Sequence, residues 1–475
     1  MTMRTLSKLA LAMASVAASA VTELAFAAAV LPLSPMESAL PALSDRLRAV
    51  KLDDGGEITL VERRGDALRV AFTLAPTPKS FIRCELGLPP PEKWDGRLWG
   101  YGNGGWGGAV SFHYNGTSAC VHSDLGTSKS PMKETPTDRE ILRDYAWRAT
   151  HLMTVAAKRL VEAYYGRKPD KCYFSGASCG GLQGVQEATR FPEDYDGIIS
   201  EVPGITERSR SSNAWRHMRL KKKHGKWFSK DEIAAVRDAE LAYFAKTDPE
   251  FARGHFIVDP YPTKEKLDGC WSEIVERNPV LADREQLWRE LFDPLVVNGE
   301  PYAAGRLIGV EFAGAWSFIA PKYLGLRNLA EATEADLAAY ASVAEVFPLA
   351  DLTAFRSRGG KIIMYGGLED TSCPELEIRE YYKAIARQCG GESEASRFFA
   401  YYSVPGRSHG ARGESAGAGK IGQPIGLAEK IVDWVEKGVT PGAVSFKWNN
   451  EPKVLVVSPH PGCTVFCKDG EEMAK

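Results

Sequence analysis

The sequence predicts an α/β fold, a parallel sheet flanked by helices and interrupted by one large insertion. Two stretches of strand–helix alternation point to it, about 139–203 and 351–438. Such alternation covers both faces of a sheet. Between them, from about Gly204 to Val346, short helical pieces, charged stretches and scattered tryptophans replace the pattern. Ligands of open α/β sheets bind at the carboxyl ends of the strands, so an insertion there is placed to cap a site.

The first residues read as an export signal. Arg4 and Lys8 supply positive charge, Leu9 to Val21 is apolar, and Ala25-Phe26-Ala27 offers a small-residue cleavage site. The competing reading is an uncleaved membrane anchor, against which Glu23 shortens the apolar run. No later stretch is apolar enough to span a bilayer. The expected division is 1–27 signal peptide, 28–203 first part of the main domain, 204–347 insertion and 348–475 second part. A mature protein starting near Ala28 is expected to be secreted or periplasmic. The formal net charge of −2 argues against nucleic acid or an anionic membrane as partner. The oligomeric state is not legible.

In the first part, Ile58 to Val61, Leu68 to Leu74 and Leu98 to Tyr101 read as strands. A long helix is predicted from about Arg139 to Tyr165, because Leu142, Tyr145, Ala146, Leu152, Val155, Ala156 and Val161 recur at helical spacing. Gly166 is suited to end it, with Pro169 just beyond. Cys172-Tyr173-Phe174 is a strand, and a helix ends near Phe191. After the insertion, Lys361 to Tyr365 is a buried strand, Pro374 to Gln388 a helix, Phe398 to Val404 a strand, and Ile425 to Glu436 a helix stopped by Gly438.

Gly176-Ala177-Ser178-Cys179-Gly180 is a G-x-S-x-G sequence between a strand and a helix. In that context the sharp turn exposes the serine hydroxyl above the sheet, and small neighbours are needed to make it. A serine hydroxyl is a poor nucleophile near neutral pH. A histidine must take its proton and a carboxylate must orient the histidine. Two later strands run into suitable loops. One is Gly366-Gly367-Leu368-Glu369-Asp370 and the other Pro405-Gly406-Arg407-Ser408-His409-Gly410. Ser178, Asp370 and His409 are therefore the expected catalytic set, with Glu369 as local rival to Asp370. An oxyanion needs two backbone donors. Cys179 is the expected first, and Gly105, in Gly102-Asn103-Gly104-Gly105-Trp106-Gly107-Gly108, the second. No phosphate-binding G-x-x-x-x-G-K-[ST] is present, and neither C-x-x-C nor H-E-x-x-H suggests zinc.

These residues together resemble the tannase and feruloyl esterase family of α/β-hydrolases. Further matching stretches are Trp94-Asp95-Gly96-Arg97, Tyr165-Gly166, Phe191-Pro192-Glu193-Asp194-Tyr195-Asp196-Gly197, Arg358-Gly359-Gly360-Lys361 and Asp433-Trp434-Val435-Glu436-Lys437-Gly438. The likeness covers most of the chain outside the insertion. It implies an α/β-hydrolase fold with a large lid domain between the nucleophile elbow and the acid loop. It also implies a secreted or periplasmic serine esterase whose substrates are small aromatic esters, galloyl or feruloyl esters among them. The lid would hold the aromatic acid, and Trp316 and Phe318 are the expected contacts among Trp215, Trp227, Trp271, Trp316 and Phe318. Two rivals stay open, another α/β-hydrolase esterase or peptidase and an inactive aromatic-compound binding protein. A cysteine hydrolase using Cys179 is a third.

Two departures from the family stand out. Members usually carry cysteines directly before the serine and directly after the histidine, joined as a disulfide; here the positions are Ala177 and Gly410. A native bridge commonly contributes about 2–4 kcal/mol, so something else must fix the His409 loop. With nine cysteines in the chain, a Cys179–Cys373 bridge is one replacement. The second departure concerns a structural calcium often found in the lid. Asp248, Asp259 and Asp268 are too loosely spaced to suggest its six to eight oxygen ligands. No cofactor is expected, and no metal beyond that calcium.

Overall fold

The computed structural model describes residues 35–105, 107–128, 138–205, 219–247, 263–293, 295–297, 300–303, 333, 335, 351–370, 372–409, 421–449, 451–462 and 464–469. The signal segment, Trp316 and Phe318 lie outside the described residues, as do Trp215, Asp248, Asp259 and Gly410.

Nine strands form the main sheet. They are β1 (Glu57–Arg64), β2 (Ala67–Leu74), β3 (Ile82–Leu88), β4 (Arg97–Tyr101), β5 (Ala119–Ser123), β6 (Lys171–Ala177) and β7 (Gly197–Glu201), and, beyond a two-stranded hairpin β8 (Leu295–Val297) and β9 (Glu300–Ala303), β10 (Lys361–Gly367) and β11 (Phe399–Val404). Their order is β1-β2-β3-β5-β4-β6-β7-β10-β11. The first three strands and the β3–β5 pair are antiparallel. From β5 to β11 every pairing is parallel. Only that parallel part can gather several strand ends at one edge, and the loops after β4, β6, β10 and β11 all leave from it.

Each face of the sheet has its own core. Phe174, Ile198, Ile362 and Met364 pack beneath the helices Ala149–Tyr165 and Glu375–Cys389. Tyr173, Ile199, Ile363 and Tyr365 meet the helix Leu427–Lys437 and a second, antiparallel sheet. That sheet comprises β12 (Ile421–Pro424), β13 (Val444–Trp448), β14 (Lys453–Val457) and β15 (Val465–Asp469). The insertion has a third core, in which Val236, Phe244, Trp271, Ile274 and Trp288 bring together the helices Lys230–Thr247 and Lys264–Arg277.

Structure and sequence reading differ in places. The expected helix Arg139 to Tyr165 is interrupted by a π-helical turn at Asp144–Arg148. Asp144 is buried there and takes the Arg148 Nε at 2.6 Å. Three sheet strands, β3, β5 and β7, and the whole C-terminal sheet were not anticipated. Gly166 and Gly438 do end their helices in the left-handed conformation, at φ 76° and 71°.

Candidate active site

The turn after β6 holds Ser178 at φ 60° and ψ −120°. For a residue with a Cβ this is strained backbone, worth about 1–3 kcal/mol. Its neighbours hold it there: the Ser178 N–H donates to Glu201 O at 2.9 Å, and Ser178 O accepts from Leu182 N at 3.1 Å and Gly204 N at 3.2 Å. The glycines are required by contact. A Cβ on Gly176 would lie 2.5 Å from Gly180 C, and one on Gly102 would lie 2.6 Å from Gly180 Cα. The glycine-rich loop after β4 thus touches the elbow backbone to backbone.

Ser178 Oγ lies 2.9 Å from His409 Nε2, and His409 Nδ1 lies 2.7 Å from Asp370 Oδ2. Asp370 is fully buried. Its other oxygen, Oδ1, accepts the N–H groups of Ser372 and Cys373, both at 2.8 Å. Glu369 faces elsewhere, into an ion pair with Arg237 of the insertion, which leaves Asp370 as the carboxylate on the histidine. Burial disfavours the imidazolium of His409, but the charge and hydrogen bond of Asp370, helped by Cys373, outweigh this and hold its pKa well above the ordinary value.

The loop bearing His409 is tied to the acid loop without a disulfide. Leu368 N donates to Val404 O at 3.0 Å, and Glu369 N to Arg407 O at 3.1 Å. The packing is so close that a Cβ on Gly367 would lie 2.3 Å from Arg407 O. Arg407 is buried, with its guanidinium 5.9 Å from the Tyr365 ring. The expected Cys179–Cys373 bridge is absent, for both residues are thiols. Tyr145 Oη lies 3.0 Å from Cys179 Sγ, so that thiol is engaged by Tyr145.

Cys179 opens the helix Cys179–Arg190, so its amide sits at a helix N-terminus beside Ser178, where backbone N–H groups favour negative charge. Gly105 has φ 60°, with nothing within 4 Å of an added Cβ, and its carbonyl oxygen lies 3.0 Å from Tyr145 Oη. The loop is clamped to the elbow helix by Gln183, which accepts from Asn103 N and donates to Asn103 O, each at 3.1 Å. Tyr145, Gln183, Asn103 and Arg237 are the site residues the sequence reading missed. Tyr145 did stand on the predicted helix, as a core position. Of the lid aromatics, Trp271 is buried in the insertion's own core and Trp227 packs at its edge.

The resemblance to metal-bearing relatives can be tested on the insertion. Asp268 is taken by Arg289 at 2.6 Å. Among the described residues, groups of three or more metal-ligating side chains occur only at Asp370, Cys373, His409 and at His151, Glu187, Asp194. Neither includes an insertion residue, and Asp248 and Asp259 lie outside the described residues. Also among these residues, no helix is long and apolar enough to cross a membrane.

A buried carboxylate, an imidazole and a strained serine in one hydrogen-bonded line are equipped to make the serine oxygen a nucleophile. Comparison with known proteins places the chain in a family. The sequence model described as tannase and feruloyl esterase matches residues 69–251 and 322–465, a span containing all three side chains. A probable feruloyl esterase B-2 of Aspergillus flavus is 28% identical over 424 residues, covering 80% of each chain. Feruloyl esterase B of Aspergillus niger is 27% identical over 430 residues, covering 80% of this chain and 79% of its own. Among solved structures, an esterase from Aspergillus oryzae superposes with a TM-score of 0.71 at 21% identity, covering 89% of this chain and 95% of its own. Feruloyl esterase B from the same organism gives 0.66 at 20%, covering 88% and 96%. These likenesses carry the α/β-hydrolase fold, and the family match carries the chemistry: the chain belongs to the tannase and feruloyl esterase family and is a carboxylic ester hydrolase.

Proposed function

We propose that the chain hydrolyses esters of aromatic, phenolic acids, such as galloyl or feruloyl esters, through a Ser178–His409–Asp370 triad and an acyl-enzyme. The observation that carries this reading is the continuous line from Ser178 Oγ through His409 to Asp370, with links of 2.9 and 2.7 Å. Ser178 Oγ attacks the ester carbonyl while His409 Nε2 takes its proton. That proton then passes to the leaving alcohol oxygen. Asp370 fixes the ring and offsets its positive charge. The amides of Cys179 and Gly105 receive the carbonyl oxygen as it gains charge. Water repeats the sequence on the acyl-enzyme, with His409 again as base.

The choice of acid rests on relatives named as feruloyl esterases. The aromatic ring is assigned to the insertion, with Trp316 and Phe318 as its contacts. The charged and apolar opening residues support export to the periplasm or the exterior. Hydrolysis of methyl gallate, methyl ferulate and p-nitrophenyl butyrate, with Ser178→Ala alongside, tests the reading. Turnover of an aromatic ester that is lost in the variant is expected. Turnover of butyrate alone would remove the aromatic specificity, and undiminished turnover by Ser178→Ala would remove the nucleophile.

A further inference from the structure

Cys373 has no part in the proposed chemistry, yet its thiol stands beside the triad. A sulfur of Cys373, a carboxylate oxygen of Asp370 and a ring nitrogen of His409 all lie within 4.8 Å of one another. The acid turn makes this arrangement. Because the Ser372 and Cys373 amides both fold back onto Asp370 Oδ1, the chain curls around the carboxylate and brings Cys373 within hydrogen-bonding reach of His409. Asp370 Oδ2 stays turned to His409 Nδ1. Cys373 and Asp370 are buried, while 26% of the His409 side chain is exposed.

We propose that Asp370, Cys373 and His409 form an inhibitory binding site for a thiophilic divalent cation such as zinc or cadmium. Thiolate sulfur, imidazole nitrogen and carboxylate oxygen are the three donor types zinc takes in tetrahedral sites, and a fourth position then falls to water. Donors around such an ion stand about 3.3–3.7 Å apart, from bond lengths near 2.0–2.3 Å. The three atoms therefore need to move by about an ångström or less. Binding forms metal–sulfur, metal–nitrogen and metal–oxygen bonds; the thiol proton goes to solvent, and the ring exchanges its Nδ1 proton for one on Nε2, so it stays a neutral imidazole, with no change of oxidation state. Nδ1 then no longer donates to Asp370, and the cation beside the ring opposes a second positive charge on it. His409 loses its ability to take the Ser178 proton. Calcium and magnesium prefer all-oxygen ligand sets and are not expected to act here.

The inhibitory half of this inference rests on the triad reading, whereas the binding half does not. The test uses the full chain freed of metal by a chelator and then titrated with cadmium. Two signals are followed, the ultraviolet charge-transfer band of a cadmium–thiolate bond and the rate of ester hydrolysis relative to the same protein in chelator. Wild-type protein is expected to gain the band to one equivalent and lose activity in parallel, with both reversed by the chelator. Cys373→Ser and Cys373→Ala are expected to lose the band and to need at least tenfold more cadmium for the same fractional loss. Ser178→Ala is expected to be inactive yet to gain the full band. A band that survives both Cys373 substitutions, no band in folded wild-type protein, or a band without inhibition would each overturn the proposal. Should wild-type protein hydrolyse no ester, the esterase reading fails on its own and the band still decides the site.

Discussion

Arg237 and Glu369 form a buried ion pair that joins the insertion to the acid loop. The Arg237 Nη2 lies 2.8 and 2.7 Å from the two Glu369 oxygens, and only 10% and 4% of the side chains are exposed. Glu369 immediately precedes Asp370, so a residue of the insertion bears directly on the loop that orients His409. Removing one partner leaves a buried charge uncompensated, which typically costs about 3–5 kcal/mol. Arg237→Ala is therefore expected to lower the unfolding free energy by an amount of that order, read as a lower denaturant midpoint. Arg237→Met combined with Glu369→Leu is expected to restore much of the loss. Urea unfolding of the three proteins checks both statements.

Tyr145 reaches both loops that carry the proposed oxyanion donors, Gly105 through its carbonyl and Cys179 through its sulfur. It acts by holding them in register and does not itself touch the reacting atoms. Tyr145→Phe is expected to lower kcat by about tenfold, short of the 10²–10³ that follows loss of an oxyanion donor itself. KM should change little, because the substrate is bound before the oxygen gains charge. A purely structural role would instead lower the melting temperature and leave kcat of the folded fraction intact.

The contact between Gly176 and Gly180 leaves no room for a side chain. Gly176→Ala places a methyl 2.5 Å from Gly180 C and O. The elbow must then open, at an overpacking cost of about 1–3 kcal/mol. Gly104 is a control from the neighbouring loop, since a Cβ there meets nothing within 4 Å. Thermal unfolding should show Gly104→Ala within about 0.5 kcal/mol of wild type and Gly176→Ala clearly below it.

Asp370 holds the pKa of His409 above its usual value of 6.5. His409 works as a base only when neutral, so activity must fall as pH drops through that raised value. The acid limb of kcat/KM, measured in chelator, is expected above pH 6.5. Asp370→Asn removes the carboxylate that raises the value. Its residual activity, reduced by about 10⁴, should therefore show an acid limb at lower pH. An unchanged limb would mean that another group sets it.

Much of this architecture is legible in the sequence because local chemistry and tertiary need coincide. Gly166 and Gly438 stop their helices where left-handed backbone is required, and the glycines around Ser178 mark a turn that only small residues permit. What escaped reading depends on partners distant in the chain. In β3, Arg83 and Glu85 dilute the apolar pattern, yet Arg83 pairs with Asp124 and Glu85 with Arg69. Strand β7 has only five residues, too few for a period to declare itself. The π turn that delivers Tyr145 to the site leaves no mark in helical spacing. Arg237 is one charge among many in the insertion until Glu369 is brought against it. The Cys179–Cys373 bridge failed because standing beside Ser178 and Asp370 in sequence does not bring the two sulfurs together: Cys179 Sγ lies against Tyr145 Oη, and Cys373 Sγ beside Asp370 and His409.

The central claim is that Ser178 is a nucleophile activated by His409. It is tested most directly by treating the folded protein with a fluorophosphonate and locating the adduct by peptide mass. The account predicts a single adduct on Ser178, formed fast in wild type and slowed by orders of magnitude in His409→Ala. An adduct elsewhere, equal rates in the two proteins, or no adduct on a folded chain would contradict it.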